Sequence, residues 1–294
     1  MTGDDGIFWR SLLYVPVTSR RFVEKAHTRG ADAIQLDVED SIPPGEKDAA
    51  RRLLPAAIDE VAGHGVDVVV RINRPWRIAI RDLEVAVRPG VRALALPKVA
   101  SADHLRIIDE VVTELESAAG MPVGTVRFVA MVETVAGFWR LQEIAGASPR
   151  VVALTLGSED FATSSGIPPE PDLQLVPNQM TVLAARAVGV LPIGLVSSIA
   201  NYQDQDAFRQ TVLDSRRQGF VGASAIHPSQ VPIINEGFSP TADEVELARR
   251  MLAEFDAAAE SGIGAIQFDG KMVDEPIVQR ARALLQLADR VASR

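Results

Sequence analysis

The chain alternates short apolar runs with longer segments whose apolar residues recur at helical spacing, and this alternation limits its possible folds more than any other feature. The intervening segments include six predicted helices: Arg20–Thr28, Glu46–Ala62, Ala102–Ser117, Ala136–Ala145, Pro177–Val188 and Gln205–Arg217. The apolar runs give eight predicted strands: Ser11–Val15, Ala33–Val38, Asp67–Ile72, Ala93–Leu96, Val126–Val132, Val151–Leu156, Leu191–Leu195 and Phe220–Ile226.

Eight consecutive strand–helix units predict a TIM (β/α)8 barrel, an α/β fold with a closed parallel sheet. A doubly wound open sheet is the alternative, because the number of strands alone does not close a barrel. The sequence has no G-x-G-x-x-G after its first strand and no G-x-x-x-x-G-K-[ST] motif, so nucleotide-binding versions of the open sheet lose support.

After Phe238 the alternation stops, which predicts two regions: a catalytic barrel over residues 1–238 and a helical extension over residues 239–294. Within the extension, the stretch Ser239–Glu244 predicts a helix start, and a last helix is predicted from about Ile277 to Ala292. At this length the extension is short for an independent domain, so we expect it to pack on the barrel or on a neighbouring subunit.

Composition excludes several classes of function. The net charge of −9 gives no support for binding a nucleic-acid backbone. No apolar run approaches the roughly 18–20 residues that span a bilayer, and the acidic N-terminus does not resemble a signal peptide. The absence of cysteine excludes disulfides, thiolate metal sites and cysteine nucleophiles. These features suit a cytoplasmic protein that binds neither nucleic acid nor membrane.

Carboxylates follow the fifth and sixth predicted strands. Glu133 ends the fifth, and Glu159 and Asp160 follow the sixth. Because the carboxyl ends of parallel strands carry the chemistry in such folds, these acids are a candidate site for a hard divalent cation such as Mg2+. The alternative is that they only stabilise the first turns of the following helices, where acidic residues are favoured.

Other strand ends add charged residues to the same predicted barrel mouth. The second strand ends in Glu39 and Asp40, and the third ends near Arg71. Arg71 has two interpretations that are compatible with each other. It forms an ion pair with Glu39 or Asp40, or its planar guanidinium binds a substrate carboxylate.

Four further residues have functional interpretations that the sequence does not favour. Lys98 would form a Schiff base in a metal-free aldolase, but a packing role in its Pro-Lys turn is favoured. His227 would act as a general base, but the favoured role is to shape the turn with Pro228. Ser158 lacks the G-x-S-x-G elbow of many serine hydrolases. Asp274, before Pro276 and an apolar helical run, is predicted to cap the last helix.

Several stretches resemble the citrate lyase beta-subunit and acyl-CoA lyase branch of the HpcH/HpaI aldolase superfamily, which includes malyl-CoA and citramalyl-CoA lyases. They lie between residues 10 and 285 and therefore cover nearly the whole chain. They are RSLLYVPVTSRRFVEKA, GADAIQLDVEDSIPPGEKDAAR, VVVRIN, ALALPKV, VETVAGF, GSEDFA, AIHPSQVPIINEGFSP and FDGKMVDEPIVQRA.

The resemblance implies a cytoplasmic, magnesium-dependent TIM barrel that acts on an oxo acid and a CoA thioester and forms a trimer or hexamer. It also assigns roles to individual residues. Glu133 and Asp160 are the implied metal ligands, Glu39 and Asp40 hold water molecules around the metal, and Arg71 holds the substrate carboxylate. Gly157, Ser158 and Glu159 offer backbone N–H groups to the substrate that Arg71 holds, and Glu133 also belongs to the implied substrate-binding set. Asp274, in Met272-Val273-Asp274, is the implied acid/base, contributed to a neighbouring subunit in the family's lyases.

Three departures from the family pattern lie on the expected acyl or CoA side. They are Val17 in place of the usual glycine, the Ile193–Ser198 segment without an aspartate that many members carry, and Gly222–Ser224 without a lysine often found there. The leading hypothesis is a carbon–carbon lyase that cleaves or forms a β-hydroxyacyl-CoA. The alternatives are a free hydroxy-keto acid aldolase, a malyl-CoA thioesterase, and a non-catalytic barrel that binds a keto acid or an acyl-CoA.

Overall fold

The computed structural model describes residues 6–200 and 202–293. The chain divides into two compact units, Met1–Glu236 and Gly237–Arg294.

The first unit contains eight parallel strands whose spatial order follows the sequence, with β8 beside β1. Beyond β7, a parallel bridge joins Ile193 to Gly222, and the Val221 N–H donates to the Pro192 carbonyl at 3.0 Å. Every strand therefore has two neighbours, which confirms the predicted barrel and excludes the open sheet. The strands are β1 Ser11–Pro16, β2 Ala33–Asp37, β3 Asp67–Arg71, β4 Val91–Leu96, β5 Arg127–Val132, β6 Val151–Leu156, β7 Leu191–Pro192 and β8 Ala223–Ala225.

Helices cover the outside of the strands in the order expected for a barrel. One prediction was wrong: Ala136–Ala145 is two short helices, α5 and α6, interrupted after Phe138. Gly137 disfavours a continuous helix there, at a cost of about 1 kcal/mol relative to alanine. The helices are α1 Arg20–Lys25, α2 Lys47–Ala62, α3 Trp76–Ala86, α4 Ala102–Ala118, α5 Val135–Phe138, α6 Leu141–Ala145, α7 Ser158–Ser165, α8 Leu175–Val188, α9 Gln205–Arg217 and α10 Gln230–Gly237.

The barrel is filled mainly by small and branched side chains. One buried cluster joins Trp9 and Met131 to alanines and valines from β2 to β6. The indole Nε1 of Trp9 donates to Asp67 at 2.7 Å, which satisfies the one polar atom of this large side chain. This packed interior holds the strand ends at fixed positions around the mouth.

The second unit consists of two helices and a hairpin. Thr241 caps the first helix, and Glu244 completes the capping box, as the predicted helix start at Ser239–Glu244 requires. Phe255, Phe268 and Val278 belong to its own small core. Its elements are α11 Ala242–Ala259, β9 Ile266–Phe268, β10 Lys271–Val273 and α12 Glu275–Ala292.

Among the residues that the structure describes, no helix combines the length and apolar character that a membrane span requires.

Candidate functional site

Four carboxylates surround the ammonium group of Lys98 at the carboxyl ends of the strands. The Lys98 Nζ lies 2.9 Å from Glu39 Oε1, 3.7 Å from Asp40 Oδ2, 3.7 Å from Glu133 Oε2 and 3.9 Å from Asp160 Oδ1. These five residues, here called the mouth cluster, come from the ends of β2, β4, β5 and β6. The structure thus brings together acids that are up to 121 positions apart in the sequence, from Glu39 to Asp160.

Glu133 directly follows the last residue of β5 and is the most deeply buried acid of the mouth cluster. Its exposed fraction is 3%. Its Oε2 accepts no hydrogen bond within the described residues, although the atom is shielded from solvent. Burying a carboxylate oxygen without a hydrogen-bond donor costs free energy, and a bound cation would offset that cost.

Gly157 makes room for Glu133 at the end of β6. A Cβ atom at position 157 would lie 2.6 Å from Glu133 Cγ, closer than carbon atoms approach, and 3.2 Å from Glu133 Cδ, a tight contact. The glycine of the Gly157-Ser158-Glu159 segment is therefore required by packing against the carboxylate. Its N–H donates to the Val132 carbonyl at 2.9 Å, so this N–H is engaged within the barrel, and its predicted contact with a ligand stays a prediction.

The electrostatics of Glu133 follow from its burial. Burial, reinforced by the nearby negative charge of Asp160, raises the pKa of Glu133 to about 8, against an ordinary 4.5. The positive charge of Lys98 opposes this rise but does not cancel it. At neutral pH the Glu133 carboxyl group is therefore mostly protonated, and a metal ion would displace this proton on binding.

Arg71 is fixed by three carboxylates at the end of β2. Its Nε and Nη2 donate to Asp37 at 2.8 and 2.7 Å, and its Nη1 lies 3.0 Å from Glu39 Oε2 and 3.8 Å from Asp40 Oδ2. The predicted ion pair with Glu39 is confirmed. A guanidinium has five N–H groups, so one remains on each terminal nitrogen, the number that a bidentate contact with a substrate carboxylate uses.

Asp37 anchors Arg71 from inside the barrel and was missed by the sequence analysis. It is 1% exposed, and burial alone would raise the pKa of its carboxyl group, but the Arg71 guanidinium holds that pKa below its ordinary value. Tyr14 supports Arg71 from the other side, with the guanidinium carbon 4.7 Å from the ring centroid. Burial raises the pKa of Tyr14 to about 12, so its hydroxyl stays neutral.

The loop after β2 is held by polar side chains below the acids. The Asn73 Nδ2 donates to the Val38 carbonyl at 2.9 Å, and the Lys47 Nζ donates to the same carbonyl at 3.1 Å. Asn73 is in turn fixed by the buried Asp82, which also pairs with Arg51. These contacts place Glu39 and Asp40 without using their carboxylates.

The first turn of α7 separates the two acids that follow β6. Asp160 faces Lys98, whereas Glu159 is exposed. Helical N–H groups in a first turn have no acceptor within the helix, which leaves those of Ser158 and Glu159 available to a ligand. Capping does not explain Glu133, because Thr134 takes the cap position of α5 and accepts from the Gly137 N–H at 3.1 Å.

The donor set fits a magnesium ion. Mg2+ prefers oxygen ligands, and many sites use one or two carboxylates with the remaining positions filled by water or substrate. Glu133 and Asp160 supply two carboxylates, and the hydrogen-bond-free Glu133 Oε2 is the open ligand atom. Within the described ranges, no group of three or more His, Asp or Glu side chains has the spacing of a metal site.

Two other predicted residues are placed by the structure. His227 lies in the turn after β8, where its Nδ1 is 2.7 Å from Ser229 Oγ and its ring stacks on Tyr202. These contacts fit the turn-shaping interpretation. Asp274 occupies the cap position of α12 in the second unit, but its side chain makes no capping hydrogen bond. The predicted capping role was therefore wrong for the carboxylate, which is left available for another partner.

Comparison with known proteins supports the family resemblance that the sequence motifs indicate. Residues 10–228 match the family model described as HpcH/HpaI aldolase/citrate lyase. Citrate lyase subunit beta of Escherichia coli is 34% identical over 95% of this chain and 93% of its own length. A (3S)-malyl-CoA thioesterase of Cereibacter sphaeroides is 35% identical over 97% of this chain and 96% of its own length.

One solved structure is similar over nearly its whole length. It is the protein CitE from Mycobacterium tuberculosis in complex with magnesium, acetoacetate and coenzyme A, which has a TM-score of 0.73 and 28% identity over 95% of this chain and 97% of the other.

Proposed function

Since the chain belongs to the HpcH/HpaI aldolase/citrate lyase family, we propose that it is a magnesium-dependent carbon–carbon lyase. The proposed reaction cleaves or forms a β-hydroxyacyl-CoA such as malyl-CoA or citramalyl-CoA, with a CoA thioester and an oxo acid as the other reactants. The observation that carries the proposal is the buried Glu133 Oε2, which accepts no hydrogen bond within the described residues. Lys98 Nζ lies 3.7 Å from this atom and 3.9 Å from Asp160 Oδ1, so both acids face the same space. The relative solved with magnesium, acetoacetate and coenzyme A supports the same ligand classes.

Glu133 and Asp160 would hold the ion. When bound, Mg2+ supplies Lewis-acid polarisation of the substrate hydroxyl and of the carbonyl that the hydroxyl becomes. Glu39 and Asp40 face the same space and would accept hydrogen bonds from the water molecules around it.

Arg71 orients the substrate before the carbon–carbon bond breaks. Its free N–H groups would hold the carboxylate of the oxo-acid half, while Asp37 keeps the guanidinium from rotating. Fixing the reacting centre in this way lowers the entropic part of the barrier. The first-turn N–H groups of Ser158 and Glu159 would donate to the same carboxylate.

As the carbon–carbon bond breaks, the substrate hydroxyl would lose its proton to the carboxylate of Glu39 or Asp40, directly or through a water molecule that it holds. Asp274 is the proposed acid that delivers a proton to the α-carbon of the departing thioester enolate. Its carboxylate makes no capping hydrogen bond, so it is available for this step.

We propose further that the enzyme works in the cytoplasm as a homo-oligomer, a trimer or hexamer. In that assembly residues 239–294 pack on the barrel or on a neighbouring subunit.

The experiment is a product assay with malyl-CoA and citramalyl-CoA, with and without Mg2+. A lyase releases glyoxylate or pyruvate, which a hydrazine reagent detects, and leaves the thioester intact. We expect oxo-acid release that depends on Mg2+ and is lost in Asp274→Ala. Binding of an oxo acid without turnover of either thioester would contradict the proposal and favour a free-acid aldolase or a binding protein.

Thioester hydrolysis is the second candidate, because one relative of this chain is a (3S)-malyl-CoA thioesterase. The same assay separates the two reactions. A thioesterase releases free CoA, which a thiol reagent detects, and produces no oxo acid. Free CoA released in proportion to substrate consumed, without glyoxylate or pyruvate, would favour hydrolysis over carbon–carbon cleavage.

A further inference from the structure

Lys98 has a backbone conformation that side-chain-bearing residues rarely adopt. Its φ is +51°, in the left-handed region, where a residue other than glycine is strained by about 1–2 kcal/mol. Such strain persists only where the surroundings hold the chain in place.

Both sides of the Lys98 peptide are held. The next N–H, of Val99, donates to the Met131 carbonyl at 2.9 Å, and the Lys98 carbonyl accepts from the Arg74 Nε at 3.2 Å. Gly137 packs so closely on this loop that a Cβ atom there would lie 2.6 Å from the Val99 carbonyl oxygen. The fold therefore specifies where the Lys98 side chain begins and directs it over the mouth.

The Lys98 ammonium is a fixed positive charge. Its Nζ donates to Glu39 Oε1 at 2.9 Å and lies within 4 Å of acidic oxygens of Asp40, Glu133 and Asp160. A Schiff-base lysine needs a free neutral amine as the nucleophile, and an acidic surrounding favours the charged form instead. These contacts disfavour the Schiff-base alternative and leave the role of this cation open.

We propose that Lys98 is a positioning residue that acts as the resident cation of the mouth cluster: it holds the acidic side chains in place before magnesium enters, and it sets the magnesium affinity by opposing that entry. The inference rests on the proposed magnesium site. Its ammonium lies 3.7 Å from Glu133 and 3.9 Å from Asp160, the two proposed ligands. Like charges at such separations repel strongly in a partly buried site.

Glu39 and Asp40 give the ammonium a place to remain when the ion arrives. The Glu39 contact is the shortest of the four, at 2.9 Å, and lies on the β2 side, away from β5 and β6. The flexible lysine stem permits a shift toward that side without breaking the contact. Lys98 would keep Glu39 oriented while Glu133 and Asp160 exchange the ammonium for the metal.

The test is calorimetric titration of MgCl2 into the metal-free full-length protein. Lys98→Met removes the charge, and Lys25→Met, at an exposed position on α1, is the matched control. We expect Lys98→Met to bind Mg2+ at least about tenfold more tightly than wild type. We also expect a lower Tm of the metal-free variant, restored by saturating Mg2+, and no change in Lys25→Met.

Two further variants keep the inference open to contradiction if Lys98→Met does not fold. Lys98→Gln keeps a hydrogen-bond donor for Glu39 but no charge, and we expect the same tighter binding. Lys98→Arg keeps the charge, and we expect no gain in affinity. Unchanged or weaker binding in both neutral variants, with a wild type that binds Mg2+, would overturn the role of Lys98 alone. A wild type that binds no Mg2+ would overturn the proposed metal site as well.

Discussion

The two ends of the barrel contain the same kinds of charged side chains, but they differ in how fully hydrogen-bond donors supply the buried carboxylates. At the amino-terminal ends of β5 and β6, Arg150 pairs with Asp109 and Glu116 from α4. All five of its N–H groups are used: Nε on Asp109, Nη1 on Glu116 and the Val126 carbonyl, and Nη2 on Thr113 and Glu116. Glu116 is 0% exposed and also accepts from the N–H groups of Gly124 and Val126 at 2.7 Å.

At the opposite end acids also outnumber bases, but the buried Glu133 Oε2 accepts no hydrogen bond within the described residues. The mouth cluster contains four carboxylates around Lys98, and Asp37 with Arg71 adds one charge of each sign. Burial raises the pKa of Glu133, whereas the hydrogen bonds that Glu116 accepts lower its pKa despite its burial. The comparison teaches that a buried carboxylate supplied with donors serves the fold, while one left without a donor awaits a ligand.

The largest expected effect is the loss of lyase activity when Glu133, at the carboxyl-terminal end of the barrel, is replaced. Glu133→Gln removes a proposed metal ligand, so we expect lyase activity to fall at least about a thousandfold, or about 4 kcal/mol in the barrier. The metal-free variant should unfold at a urea concentration no lower than wild type, because it loses a costly buried acid. Glu110→Gln, at an exposed position on α4, is the matched control and should keep full activity. A large loss of stability in Glu133→Gln would erase the contrast between the ends.

The second effect is on stability and belongs to the amino-terminal end. Arg150→Met leaves the buried Glu116 and the half-buried Asp109 without their cation, and we expect a loss of about 3–5 kcal/mol in the free energy of unfolding. Arg106→Met, which breaks the exposed Arg106–Asp103 pair, should cost at most about 1 kcal/mol. Urea denaturation of both variants tests the difference. Similar losses in the two would show that the Arg150 network is not special.

The third effect is on pH dependence. The pKa of Glu133 is raised in the folded protein to about 8 from 4.5, so its contribution to metal-free stability is complete below pH 4.5 and is lost as the pH rises toward 8. For the same reason, Mg2+ affinity should fall about tenfold for each pH unit below 8, because the ion must displace one proton. Glu133→Gln should lose both dependences. An Mg2+ affinity that is constant from pH 6 to 8 would contradict the assignment.

At the other end of the barrel, we expect the contribution of Glu116 to stability to depend on pH in the opposite direction. Its pKa is lowered in the folded protein, so its contribution to stability is present above the ordinary value of 4.5 and is lost as the pH falls below it. Urea denaturation of the metal-free protein at acid pH checks this sign, with Glu116→Gln as the variant in which the acid-side loss should be smaller.

The smallest predicted effect is steric. Gly157→Ala places a methyl group against Glu133, and we expect a cost of about 1–3 kcal/mol in stability and weaker Mg2+ binding as Glu133 is displaced. Gly45→Ala is the control, because a Cβ atom there meets nothing within 4 Å. Equal behaviour of the two variants would show that Glu133 moves freely and is not held for a ligand.

Most of the fold was predictable because each barrel strand is a short apolar run. The strand Val151–Leu156 and the helix Gln205–Arg217 match their predictions to the residue. The hairpin of β9 and β10 was missed, although Asp269-Gly270 is a strong turn signal and both residues have positive φ. Its strands are only three residues long, too short to show alternation.

The site was predictable in composition but not in its pairing. Barrel geometry places Glu39, Asp40, Glu133 and Asp160 at one mouth, and the structure does so. Two features depend on geometry that the sequence does not contain. Asp37 reaches Arg71 because β2 and β3 pair in register at Asp37 and Arg71. Lys98 enters the acidic cluster because of its left-handed backbone. The sequence analysis named Lys98 from its position at a strand end, but it favoured a packing role and did not place the ammonium among the acids.

The most direct test of the account is calorimetric titration of Mg2+ into the metal-free protein at pH 7, in two buffers with different ionisation enthalpies. The difference between the buffers counts the protons released on binding. The account predicts that wild type binds Mg2+ with release of about one proton, and that Glu133→Gln shows neither binding nor release. Binding of equal affinity in wild type and Glu133→Gln would show that the mouth cluster is not the metal site.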